Sequence, residues 1–163
     1  MILGWDQSAP GWIEAMEVME VMGSAGDDTC GHVLDEPMLD ALPATGRVLD
    51  IGCGEGRFCR MIHDRGLDSV GLEPTEALRE QACVVHPGGT YVAGRAENLP
   101  FNDASFDAEV LYLTLIDILD LAAAICATAP FLSVVEGFIG LGECRDTGGR
   151  YRGRNANFGT ADA

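Results

Sequence analysis

Residues 47 to 58 read RVLDIGCGEGRF, and this stretch decides the fold. Val48, Leu49, Asp50 and Ile51 have buried-strand character and run straight into three glycines at alternate positions, Gly52, Gly54 and Gly56. A helical pattern follows at once, with Phe58, Met61 and Ile62 on one face and Gly66 as its stop. Strand, tight turn and helix in that order open a nucleotide-binding βαβ unit. Glycine takes positive φ and lets a ligand approach main chain, so this spacing predicts a ligand lying against backbone.

The details of the turn narrow the ligand. A dinucleotide fold reads G-x-G-x-x-G, with its amides facing a pyrophosphate. Here the third glycine comes one residue early and Arg57 stands in its place. Asp50 at the strand end and Glu55 inside the loop would repel a pyrophosphate, and they suit a ligand carrying positive charge. S-adenosylmethionine, with a sulfonium, an α-ammonium and no phosphate, is such a ligand. Ser69 to Leu72 then read as a second buried strand ending in Glu73. That acid stands about 20 positions past the first loop glycine, the usual distance for a carboxylate that holds a ribose.

On these residues the chain resembles the class I S-adenosylmethionine-dependent methyltransferases, in the branch that includes the ubiquinone and menaquinone methyltransferases. The matching blocks are VLDIGCGEG, VGLEPTEALREQA and YVAGRAENLPFNDASFDAEVLYLTL, running from about Arg47 to about Ala127. The resemblance implies that Asp50, Gly52, Cys53 and Gly54 contact the methionine part of the cofactor, with Gly56 also among the cofactor-binding residues. It implies that Glu73 holds the ribose with Pro74 and Thr75 against the adenine, that Ala96 and Glu97 form the adenine edge, and that Leu111, Tyr112 and Leu113 lie beside the amino-acid moiety. One position departs from the family pattern: Arg95 stands where many members carry Asp.

The expected architecture is α/β, a Rossmann-like doubly wound parallel sheet with helices on both faces. Strands are expected at Tyr91–Ala93 and Asp107–Leu113, a helix from Pro74 through Ala82, and another over Asp117–Ala127. Upstream, Trp5 to Met22 reads as an entry segment and a first helix, capped by Ser8 with Pro10 in its first turn, and Asp35–Leu42 as a short helix. Trp12, Ile13, Met16 and Met19 form the first helix's apolar face, which packs on the core or, as the resemblance implies, closes over the substrate pocket. The chain thus divides into a helical cap (1–46), a cofactor-binding core (47–141) and a tail expected to be disordered (142–163). After about Cys126 the character changes, as in a truncated or frame-shifted chain. Phe131–Val135 or Phe138–Leu141 offers a fifth strand, and the last antiparallel edge strands are expected to be missing. The exposed edge would favour a homodimer.

Composition excludes several classes. The formal charge is −16, residues 1–46 contain nine acids and no Lys or Arg, and all ten basic residues are arginines. Nucleic acid and anionic membranes require basic footprints, so neither is an expected partner. No stretch has the length and apolarity of a signal or membrane span, which gives a cytoplasmic expectation. Six cysteines without a C-x-x-C pair read as free thiols, and neither they nor the isolated His32, His63 and His86 form a metal-ligand pattern. The partner expected is a small-molecule methyl acceptor, its C, O or N atom left open. Asp117 and Tyr112 are the candidate bases, Asp117 having a helix N-cap as its alternative. A cofactor-binding protein without turnover and an NAD-dependent oxidoreductase are the competing functions, the latter disfavoured by the glycine spacing and Asp50.

Overall fold

The computed structural model describes residues 5–23, 35–102, 105–112 and 114–128, with backbone alone for 19–23. The expected fifth strand, the tail, His32 and Leu113 lie outside these residues. Four parallel strands form one sheet in the order β3-β2-β1-β4, with β1 at Arg47–Ile51, β2 at Asp68–Glu73, β3 at Thr90–Ala93 and β4 at Ala108–Val110. The five helices described are α1 (Trp5–Gly23), α2 (Glu36–Asp40), α3 (Arg57–Asp64), α4 (Glu76–Val85) and α5 (Leu121–Thr128). Strand order reverses between β1 and β4, the place where open α/β sheets leave a crevice at the carboxyl ends of their strands.

β1 is apolar along most of its length because it is covered on both faces. Val48 joins Phe58, Ile62 and Val110 in one cluster, while Leu49 and Ile51 join Val70, Leu72 and Phe106 in the other. Each such buried side chain stabilises the fold by about 1.5–3 kcal/mol. The period-2 alternation also aims Asp50 at the α3 side, where Cys59 lies. α3 follows from the spacing of its buried residues Phe58, Cys59 and Ile62, and α4 buries Leu78 and Ala82. Among the described residues no helix is long and apolar enough to cross a membrane.

Four sequence expectations need correction. α1 begins at Trp5, so Pro10 is inside the helix instead of in its first turn. The two indoles sit two turns apart on one face and meet edge to face at 5.4 Å, a contact that a start at Ser8 would remove. β4 stops at Val110, because the chain then turns to bring Thr114 over Gly52 and enters a 3₁₀ turn at Leu115–Asp117. α5 starts at Leu121 with Asp120 Oδ1 accepting from the Ala123 N–H at 2.9 Å, so Asp117 caps nothing there. Cys53, Cys59 and Cys83 are free thiols as expected, whereas Cys126 is disulfide-bonded.

β4 carries one residue that the alternation does not explain. Glu109, opposite Leu49, is 3% exposed, and neither of its carboxylate oxygens has a hydrogen-bond partner among the described residues. Desolvation pushes its pKa up to about 8. An acid whose folded pKa is raised contributes stability below its unfolded pKa and loses it as pH rises through the folded one. Glu109→Leu should therefore stabilise the chain by roughly 2–3 kcal/mol at pH 7. In denaturant titrations the gap to the wild type should widen from pH 5 to pH 8; a gap independent of pH would show that Glu109 is solvated.

Candidate functional site

A cavity of about 560 Å³ opens at the carboxyl ends of β1 and β2, beside the loop that leaves β4. Its floor is the glycine loop. Gly52 and Cys53 N–H donate to the Leu72 carbonyl at 2.7 and 3.2 Å, which ties the loop to the end of β2. Gly52, Gly54 and Gly56 all have positive φ, at 76°, 57° and 79°, and each glycine has a different neighbour. A Cβ on Gly52 would come within 2.1 Å of Thr114 Oγ1, and one on Gly56 within 2.7 Å of the Tyr91 ring. Above Gly54 the nearest atom is Trp12 Nε1, at 3.7 Å, so this glycine keeps the floor open.

Glu73 closes one side. Its Oε1 accepts from Thr75 N–H at 2.8 Å and its Oε2 from Gly54 N–H at 3.2 Å. A carboxylate offers about four lone-pair sites, so two remain for a ligand's hydroxyls. Burial nevertheless raises the Glu73 pKa, with the Thr75 and Gly54 hydrogen bonds opposing it. Asp50 is 1% exposed and lines the same cavity. Desolvation first, then the charges of Glu55 and Glu73, push it up to about 7, against the hydrogen bond that Cys59 Sγ donates at 3.3 Å. Among the described residues no cationic side chain is paired to Asp50. A ligand carrying positive charge and a diol fits that donor and charge set, and a pyrophosphate does not.

The opposite wall carries Ala96 and Glu97, with Glu97 paired to Arg95 at 2.9 Å. Burial acts to raise the Glu97 pKa, but that pairing outweighs it and holds the carboxyl below its usual value. Arg95 therefore turns its departure from the family pattern into an ion pair at the cavity edge. α1 roofs the site: Trp12 Nε1 donates to Glu55 Oε2 at 2.9 Å, which holds the indole over Gly54. At the far end a buried Asp35 accepts from Arg57 through both oxygens and from Tyr112 OH at 2.5 Å. Desolvation would raise the Asp35 pKa, yet the Arg57 and Tyr112 contacts lower it overall. Tyr112 also packs on Phe58, ring centroids 4.6 Å apart.

The cavity wall includes Asp50, Gly52, Cys53, Gly54, Glu73 and Pro74, all expected from the sequence. Ala96, Glu97, Tyr112 and Asp117 join them. Three expected residues do not line it. Gly56 faces Tyr91, Thr75 is buried as a backbone donor to Glu73, and Leu111 packs into the core cluster around Leu49. Sequence reasoning missed Asp35, Arg57, Thr114 and Ile116. Arg57 had a signal, since a lone cation directly after an acidic glycine loop needs a counter-charge; Asp35 lies 22 positions away and had none.

Comparison with known proteins agrees with this geometry. Residues 49–132 match the family model described as a methyltransferase domain, and the chain belongs to that family. An uncharacterized methyltransferase of Mycobacterium sp. is 34% identical over 87 residues, covering 52% of this chain and 34% of the relative. The chain thus spans about a third of the length of the mycobacterial relatives it matches. The crystal structure of an S-adenosylmethionine-dependent methyltransferase from Mesorhizobium loti superposes with TM-score 0.55 at 31% identity, covering 63% of this chain and 50% of that one. A second such enzyme, from Corynebacterium glutamicum, has the same fold at TM-score 0.62 and 21% identity over 77% of this chain and 67% of its own.

The contrast between two glycines is testable. Gly52→Ala meets Thr114 and should destabilise the fold by about 2 kcal/mol or more, with Thr114→Ala restoring part of the loss. Gly54→Ala meets only an ordinary contact with Trp12 Nε1 at 3.7 Å and should cost about 1 kcal/mol, the penalty for a left-handed φ alone. Thermal unfolding of the three variants checks the order; equal losses at the two glycines would mean that Thr114 does not press on the loop.

Proposed function

We propose that this chain binds S-adenosylmethionine in the cavity over Gly54 and transfers its methyl group to a small-molecule acceptor. The observation that carries the reading is the pairing of a clasped Glu73 with an Asp50 whose charge no side chain balances among the described residues. In this reading Glu73 holds the ribose, Asp50 and the Gly52–Gly54 backbone hold the methionine part, and Pro74, Ala96 and Glu97 border the adenine. Bound there, the cofactor supplies an electrophilic methyl group on a sulfonium, already a good leaving group. The chain's own task is then alignment, exclusion of water and removal of a proton where the acceptor must lose one.

The two candidate bases differ in their surroundings. Tyr112 is committed as a donor to Asp35, which holds its ring in place and fits a positioning role. Asp117 lines the cavity on the 3₁₀ turn and is the better placed proton acceptor. A cofactor-binding chain without turnover is the competing reading. Incubation with methyl-labelled cofactor separates the two: label in a recovered acceptor supports transfer, and tight binding with no label in any acceptor of a broad small-molecule panel favours the competitor.

Two further outcomes follow from the charges. Glu73→Ala should weaken cofactor binding by about 1–3 kcal/mol, the loss of a charged acceptor. An unchanged affinity would place the ribose elsewhere. Because a cationic ligand favours ionised Asp50, binding should release a proton below about pH 7, with affinity falling as pH drops and level above it. Calorimetry at pH 6 and pH 8, in buffers of different ionisation enthalpy, checks this; equal affinity and no proton release at pH 6 would remove Asp50 from the contact.

A further inference from the structure

The part of the cavity beyond the proposed cofactor contacts is built differently from the floor. Trp5 and Trp12 stand at 85° to each other, ring centroids 5.4 Å apart, and both line the cavity with Met16. The Trp12 indole is fixed by its bond to Glu55, so this aromatic corner is held in place before any ligand enters. Two π faces meeting at a corner offer an apolar body a place to stack and an ammonium group a place to rest.

The charges on the described cavity wall are unequal. Arg57 and Arg95 line it, and they are ion-paired to Asp35 and Glu97. Four more carboxylates line the same cavity: Asp50, Glu73, Asp117 and Glu55, which accepts the Trp12 N–H beside the aromatic corner. The described wall therefore has four acids in excess of its bases, in a chain whose formal charge is −16. An anionic acceptor, a carboxylate or phosphate, would meet these acids across a low-dielectric space and would find Arg57 already paired. A cationic one meets both acids and aromatic faces.

We propose that the methyl acceptor is a small arylalkyl amine, received as its ammonium form at the Trp5–Trp12 corner with Asp117 facing the charged nitrogen. This rests on the methyltransferase reading above. For transfer the ammonium first loses a proton, to Asp117 or to water. The nitrogen lone pair then forms the new N–CH3 bond while the CH3–S bond breaks, its electron pair passing to sulfur. The products are a neutral thioether and a methylated ammonium, so charge and electrons balance without a further reactant.

The test uses the whole chain in two stages. S-adenosylhomocysteine is titrated first, and failure at this stage overturns the methyltransferase reading itself. The loaded protein is then titrated with arylalkyl amines, phenethylamine among them, each against its carboxylate counterpart such as 3-phenylpropanoate, with tryptophan fluorescence as the readout. The expected result is binding of an amine roughly 10-fold tighter than its carboxylate counterpart, a preference that shrinks with added salt. In Asp117→Asn protein that still takes up S-adenosylhomocysteine, the preference should fall several-fold. Equal or inverted preference, no response to any amine, or a preference untouched by Asp117→Asn overturns the proposal while leaving the cofactor site standing.

Discussion

The Glu73 carboxylate is the joint on which the site depends. One oxygen takes the Gly54 N–H and the other the Thr75 N–H, so a single side chain at the end of β2 fixes both the glycine loop after β1 and the entry to α4. Leu72 adds its carbonyl to the loop's next amides, and parallel pairing of β1 with β2 holds both strand ends level. Bonds to a charged acceptor are stronger than neutral ones, and burial keeps water from competing for them. The floor of the cavity is therefore shaped before a ligand arrives, and preorganisation of that kind lowers the entropic cost of binding.

A second constraint is the concentration of acids. Asp50, Glu55 and Glu73 share one cavity, and burial with mutual repulsion raises Asp50 to about 7. Buried like charges are costly unless something compensates them. At the cavity's edges the chain supplies compensation itself, Arg57 for Asp35 and Arg95 for Glu97. At the floor the described residues supply none for Asp50, which is the physical reason to expect the missing charge from a ligand. α1 completes the arrangement by laying Trp12 across the loop, with Glu55 bonded to the indole instead of to a cation.

The sheet was legible because its signals are local. A buried run into alternate glycines, a second strand ending in an acid at dinucleotide-fold distance and the turn at His86–Gly89 each follow from a few adjacent residues, and β1, β2, β3 and α4 fall where those residues put them. Long-range contacts were not legible. Nothing next to Asp35 announces Arg57 and Tyr112, and nothing in LYLTLID shows that Thr114 must fold over Gly52 and end β4 early. The three loop glycines looked equivalent in sequence, yet Gly52 and Gly54 line the cavity while Gly52 and Gly56 make room for Thr114 and Tyr91. Glu109 is the reverse case, a polar residue inside a strand pattern that the sheet buries all the same. α1 was legible as a helix, but its start at Trp5 depends on a contact between two indoles that period alone does not reveal.

The account rests on a floor that is ready for S-adenosylmethionine. Isothermal titration of the folded chain with S-adenosylhomocysteine, which has the same ribose and amino-acid groups and is not consumed, tests this most directly. The account predicts saturable one-to-one binding with micromolar affinity. A folded, monodisperse sample that takes up no S-adenosylhomocysteine would contradict it, since the Glu73 clasp and the cavity over Gly54 would then be present without the ligand they are built to receive.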